Sequence, residues 1–216
     1  MTIEGRLAVD VERKLRTYVV IWRAAVAIVG QEGGLADPER SMAAGVLSAF
    51  SLEAYLNHVG AILFDCWDDL ERLGWKAKLL LIGETLGVKI NLGAAPFHAL
   101  PDLFKFRDAL AHGKTRSAKV QDLPLAPDFA HSDAALMELI EKAQLRWERQ
   151  CEPATIRKWM EAVRAVVNEI HATLVRHPRA PRVEGFPFPE EPDDPFAKRS
   201  HGRATVKVAR PRRRSK

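Results

Sequence analysis

The sequence predicts an all-α fold, and three observations carry that prediction. Apolar residues recur at three- and four-residue spacing along most of the chain up to about residue 176. Glycine and proline fall where such stripes start and stop. The composition, 47% hydrophobic and 28% charged over 216 residues, is that of a globular chain long enough to bury a real core.

Taken in order, Leu7, Val11, Leu15, Tyr18, Trp22, Val26 and Val29 form one stripe that predicts a first long helix, ended by Gly30, Gly33 and Gly34. Asp37-Pro38 reads as an N-cap followed by proline at the first helical position. A second long helix is expected from there to about Phe64, with Met42, Val46, Phe50, Leu56, Val59 and Leu63 near its apolar face. The acidic connection after it carries Trp67 and Trp75 as anchors. A helix over roughly 76–86 is stopped by Gly87, and 88–95 reads as an irregular link or one short strand. Phe97, Leu100, Leu103, Phe104 and Leu110 give the next amphipathic helix, which Pro101 lets begin at about Asp102. Residues 114–131 read as a long loop and 133–149 as a helix capped by Ser132. Pro153 opens the last helix, with Ile156, Trp159, Met160, Val163, Val166, Val167, Ile170 and Leu174 on its apolar side.

After His177-Pro178 the composition turns to proline and charge, which supports no packed element. The expected organisation is one helical domain over 1–177 and a disordered Pro-rich, basic tail over 178–216. The charge divides in the same way. Nine bases and no acid lie between Lys198 and Lys216, leaving 24 bases against 28 acids in residues 1–197. The excess of base that makes the chain +5 therefore belongs to the tail. Such a tail is drawn to polyanions by counterion release, or is a solvated terminus. Two cysteines, Cys66 and Cys151, exclude a disulfide scaffold and fit a reducing, cytoplasmic setting. The N-terminal MTIEGRLAVDVERK lacks the pattern of a secretory signal. The most apolar run, 18–30, is short for a bilayer span and carries Arg23, so no membrane association is expected.

Chemistry-bearing patterns are few. No two histidines are spaced for a metal on one helix face, and no HExxH, phosphate-binding glycine loop or GxSxG is present, so neither metal nor cofactor is expected. What remains is FKFRDALAHGK, Phe104 to Lys114. At about 100° and 1.5 Å per residue, Arg107 and His112 lie roughly 140° apart around a helix and about 7.5 Å along it. They converge if the helix ends at His112, where Gly113 makes an end natural, or if two copies of the helix meet across a symmetric interface. Asp108 precedes His112 by four residues, so its carboxylate is placed to hold the imidazole, while arginine offers a permanently charged fork for phosphate. In SLEAYLNH, Glu53 and Asn57 lie close to the apolar stripe of the second helix and need partners. Arg107 is the natural partner for Glu53, which is also what a purely structural pair joining two helices would look like. The tryptophans read mainly as core.

The two segments FSLEAYLNHVGAILF and RDALAHGK together resemble the HEPN superfamily (higher eukaryotes and prokaryotes nucleotide-binding), over roughly residues 40–115. Arg107, Asp108 and His112 match that family's pattern of an arginine, often a polar residue directly after it, and a histidine four to six residues on. Glu53 resembles the acidic residue of the earlier helix. A second match to the spacing, Arg164 to His171, lacks both the polar neighbour and a glycine after it. The family's tyrosine after the histidine is absent, since Gly113, Lys114 and Thr115 follow.

The resemblance implies a small helical bundle acting as a metal-independent endoribonuclease, with the RNA 2′-hydroxyl attacking the adjacent phosphodiester. It implies His112 as general base or acid, Arg107 on the phosphorane, Asp108 orienting His112 and Glu53 positioning Arg107. Asn57, Lys114 and Arg116 are the accompanying RNA-contact candidates. Its implied partners are RNA, a second copy in a homodimer, and an antitoxin or nucleotidyltransferase within a toxin–antitoxin or phage-defence system. The alternative is a non-catalytic module of the same fold that binds RNA, a nucleotide or a protein.

Overall fold

A computed structural model of the chain describes residues 9–12, 15–31, 33–113, 146–180 and 205–208. Almost all of these are helical: α1 (Thr17–Gly30), α2 (Pro38–Leu63), α3 (Trp67–Leu70), α4 (Trp75–Leu86), α5 (Leu100–Ala111), α6 (Arg146–Gln150) and α7 (Pro153–Leu174). Single 3-10 turns at Gly34–Ala36 and Phe97–Ala99 lead into α2 and α5. The fold class is all-α.

The helix ends follow from the residues at them. The Asp37 carboxylate accepts from the amides of Glu39 at 2.9 Å and Arg40 at 3.3 Å, satisfying two of the orphan donors that open any helix, with Pro38 behind it. Gly87 stops α4 in the left-handed region at φ 70°, which lets the Val88 amide reach back to the Gly83 carbonyl at 2.8 Å. At the far end of α2, the Arg179 guanidinium donates to the Leu63 carbonyl at 2.9 Å and lies 3.3 Å from the Asp65 carboxylate, so a cation sits where the α2 dipole is negative. Residues 88–95 form no regular element, and the Ala95–Pro96 peptide is cis.

α2 is the axis of the bundle, with α1, α4, α5 and α7 packed around it. It is long and apolar enough to cross a membrane by length and composition alone, and half of its most apolar stretch is buried within the protein. Its first half reverses a sequence expectation. The face turned inward is made of small residues, Ser41, Ala44, Gly45, Ser48 and Ala49, while Met42 and Val46 are half-buried and Phe50 is exposed. Small side chains let neighbours approach closely: a Cβ on Gly45 would lie 3.0 Å from Phe106 and 3.1 Å from Ile156. The serine hydroxyls cost nothing there because each donates to a carbonyl, Ser41 to Leu35, Ser48 to Ala44 and Ser51 to Tyr18. The second half matches expectation, with Leu56, Val59 and Leu63 buried, joined by Tyr55. Burial raises the Tyr55 hydroxyl far above the usual phenol range, with Tyr18 edge-on at 5.2 Å adding to the effect. Its oxygen lies 3.5 Å from Nδ1 of buried His171.

α7 buries every apolar residue expected of it. Trp22, Trp67 and Trp159 are core, and Trp75 and Trp147 pack half-buried against it. Gly60 is where Trp67 lies on α2, and a Cβ there would clash with the indole ring. Gly60→Ala is expected to lower stability by about 1–3 kcal/mol through overpacking, against the gain of about 1 kcal/mol that alanine brings to an exposed helix. Thermal melting checks this, with an expected fall in Tm of several degrees.

The N-terminal stripe does not continue as helix. α1 begins at Thr17, Leu15 is 57% exposed, and Val9–Glu12 is a strand, β1, paired antiparallel with β2 (Thr205–Val208). The register sets Val9 opposite Val208 and Asp10 opposite Lys207. Both segments, VDVE and TVKV, alternate β-branched with polar residues, a period of two that suits a pleated ribbon. The chain groups into two units, one holding β1 and β2 (Met1–Arg16 with Asp193–Lys216) and the other all the helices (Thr17–Pro192). Residues 178–180 continue from α7 in a turn, and β2 lies inside the basic segment. The expected loop at 114–131 and most of the helix at 133–149 lie outside the described residues; Arg146–Gln150 is helical.

Candidate functional site

α2, α4 and α5 bring four charged side chains to one place. Arg107 is on α5, at a position where the helix turns its flank toward α2. Its Nη2 donates to Oε2 of Glu53 at 2.9 Å. The other Glu53 oxygen, Oε1, lies 3.7 Å from Nζ of Lys78 on α4. Arg107 Nη1 lies 3.3 Å from Oδ1 of Asp108. One carboxylate thus bridges two cations from two other helices, and a second carboxylate closes the outer side. The four formal charges cancel, but not their exposure: Lys78 is 2% exposed, whereas the Asp108 side chain is 51% exposed.

Aromatic rings hold the guanidinium in plane. Arg107 Cζ is 5.3 Å from the centre of the Phe104 ring and 5.8 Å from that of Phe50, within range for cation–π attraction. Phe104 is itself backed by Trp75, stacked at 4.3 Å and nearly parallel. Arg107 Nε is buried without a hydrogen-bond partner. Glu53 thus holds Nη2, and Nη1 is turned toward Asp108.

His112 is the C-cap of α5. Its amide still closes the last helical bond to the Asp108 carbonyl at 2.9 Å, but its own φ of −106° and ψ of 23° leave the helix. The imidazole is exposed and makes no hydrogen bond or ion pair with a described residue. The pairing expected between Asp108 and His112 is not formed. An i, i+4 contact needs both residues on a continuing helix, and this one ends between them, while the permanently charged Arg107 lies nearer to the carboxylate. Asn57, one turn beyond Glu53, is half-buried with its Oδ1 unpartnered and does not join the cluster. Lys114 and Arg116 lie outside the described residues. In the second spacing match, Arg164 is exposed and His171 is buried against Tyr55, so the two share no surface.

The sequence reading missed Lys78. A signal was present: Trp75, Lys78, Leu79, Ile82, Gly83 and Leu86 fall at helical spacing, so the lysine occupies a core position of the α4 stripe. Among the described residues no group of three His, Cys, Asp or Glu is arranged to hold a metal ion. Cys151 is buried, which pushes its thiol up to about 11 with Glu148 adding to the effect, and Cys66 is exposed.

What the arrangement can do is chemically limited and clear. It presents a guanidinium held by Glu53, a half-exposed carboxylate beside it, and a free imidazole one helical turn further on. An oxyanion can take the place of Asp108 at little cost, since an exposed ion pair is worth less than about 1 kcal/mol. Glu53 meanwhile keeps Arg107 from following the ligand. The chain matches no protein-family model, no curated protein and no solved structure.

Proposed function

We propose that the chain is a metal-independent endoribonuclease of the HEPN type, cleaving RNA by attack of a 2′-hydroxyl on the adjacent phosphodiester. The observation that carries the reading is the Glu53–Arg107 bond, a guanidinium oriented by a carboxylate from the neighbouring helix, on the same helix as the free imidazole of His112. Arg107 stabilises the charge that develops on phosphorus-bound oxygens, the role for which a pre-oriented donor is most effective. His112 moves the proton, as base to the 2′-hydroxyl or acid to the leaving 5′-oxygen. The offset of the two residues around α5 is met by a homodimer, in which one copy's imidazole joins the other's guanidinium. Asp108 enters this scheme as the occupant of the Arg107 edge that the phosphate displaces. A cytoplasmic role as the toxin of a toxin–antitoxin or phage-defence pair, with an antitoxin or nucleotidyltransferase partner, belongs to the same proposal.

A second reading is a non-catalytic module that binds RNA, a nucleotide or a protein. It is favoured by the two carboxylates on Arg107 and by the absence of a contact between Asp108 and His112. Incubation with end-labelled single-stranded RNA in EDTA separates the two. The nuclease reading expects fragments that accumulate with time. Retention of the RNA by the protein without turnover would assign the second reading, and the absence of both cleavage and retention would contradict any role in RNA binding.

A further inference from the structure

We infer that Phe50 is a stacking platform for an unpaired nucleobase next to the phosphate held by Arg107; this rests on the RNA-binding reading of the Arg107 site. Among the described Phe, Tyr and Trp residues, Phe50 is the one that is exposed, at 40%; the others are buried or half-buried. Leaving part of a phenylalanine in water forgoes part of the free energy of burying it.

The place of this ring is as informative as its exposure. Phe50 lies one turn before Glu53 on α2, and its ring centre is 5.8 Å from Arg107 Cζ. The guanidinium thus has two aromatic neighbours of different kinds. Phe104 is buried and locked against Trp75, which accounts for it as packing. Phe50 keeps 40% of its surface exposed. A cation for the backbone with an open aromatic face beside it is the pairing that single-strand binders use, because every base has a π-face and every linkage a charge. A base inside a duplex is already stacked and has no face to offer.

The test uses the full chain and a labelled six-nucleotide 2′-deoxy oligomer, which binds but lacks the attacking hydroxyl, read by fluorescence anisotropy. Phe50→Ala is expected to weaken binding about tenfold. Phe50→Leu, apolar but without a π-face, is expected to behave like the alanine variant, and Phe50→Trp to bind at least as tightly as the unmodified protein. The same oligomer annealed to its complement is expected to show no dependence on residue 50. The proposal is overturned if Phe50→Ala binds within twofold of wild type, or if leucine restores binding as well as tryptophan does. RNA cleavage by wild type with unchanged binding by Phe50→Ala would remove the stacking role alone and leave the nuclease. Failure of wild type both to bind the oligomer and to cleave RNA would remove both.

Discussion

His112→Ala is expected to lower RNA cleavage by about 10²–10⁴-fold while leaving the fold intact, the range by which a positioned acid–base group accelerates proton transfer. The argument for a clean result is structural. His112 is exposed at the end of α5 and makes no side-chain bond to a described residue, so its loss should change stability by no more than about 0.5 kcal/mol. The amide that closes the helix belongs to the backbone and is kept in alanine. Circular dichroism and melting check the fold, and a time course on labelled RNA checks the rate. Cleavage at wild-type rate by this variant would show that the activity resides elsewhere.

Glu53→Ala is expected to have the largest effect on stability of any single change at the site. Glu53 is the shared partner of Lys78 and Arg107. Without it, Lys78 is a cation with almost no access to water and Arg107 a second cation nearby. Removing one member of a buried pair costs about 3–5 kcal/mol; because Glu53 itself keeps a quarter of its side chain exposed, about 3 kcal/mol is expected here, or roughly 6–12 °C in Tm. Adding Lys78→Met should recover a good part of the loss, since the burden is the uncompensated lysine rather than the missing carboxylate. A double-substitution cycle measures this, with a coupling of at least about 1 kcal/mol expected between residues 53 and 78. Additive losses would mean that the 3.7 Å contact carries no energy.

Much of this architecture is legible from local rules. Asp37-Pro38, Gly87 and Pro153 mark helix ends because capping and backbone freedom act within a few residues. The stripe of α7 is legible because that helix has one wet side and one dry side. α2 is less so, because it is surrounded on several sides and apolar nearly all round. Hydrophobicity then points to the large residues Val46 and Phe50, whereas close packing selects the small ones, Gly45 and Ala49. The strand at 9–12 was hidden for a different reason: its four residues continue a helical stripe, and their pairing partner is almost two hundred residues away.

At the site, the Glu53–Arg107 contact is legible because each residue sits on a helix flank that must face another helix. Lys78 could have been read from its place in the α4 stripe. The partner of Asp108 could not be read from spacing, because the choice between Arg107 and His112 turns on the residue at which α5 stops. The exposure of Phe50 is a property of packing, and only the folded chain sets it beside Arg107.

The central claim is that an imidazole and an oriented guanidinium drive 2′-hydroxyl attack on a phosphodiester. It is tested most directly by incubating the protein in EDTA with an RNA strand and with its all-deoxy twin, and analysing the ends of the products. The account predicts that the RNA is cut to fragments bearing 2′,3′-cyclic phosphates and that the twin remains whole. An uncut RNA, a cut twin, or fragments carrying 5′-phosphates would contradict it.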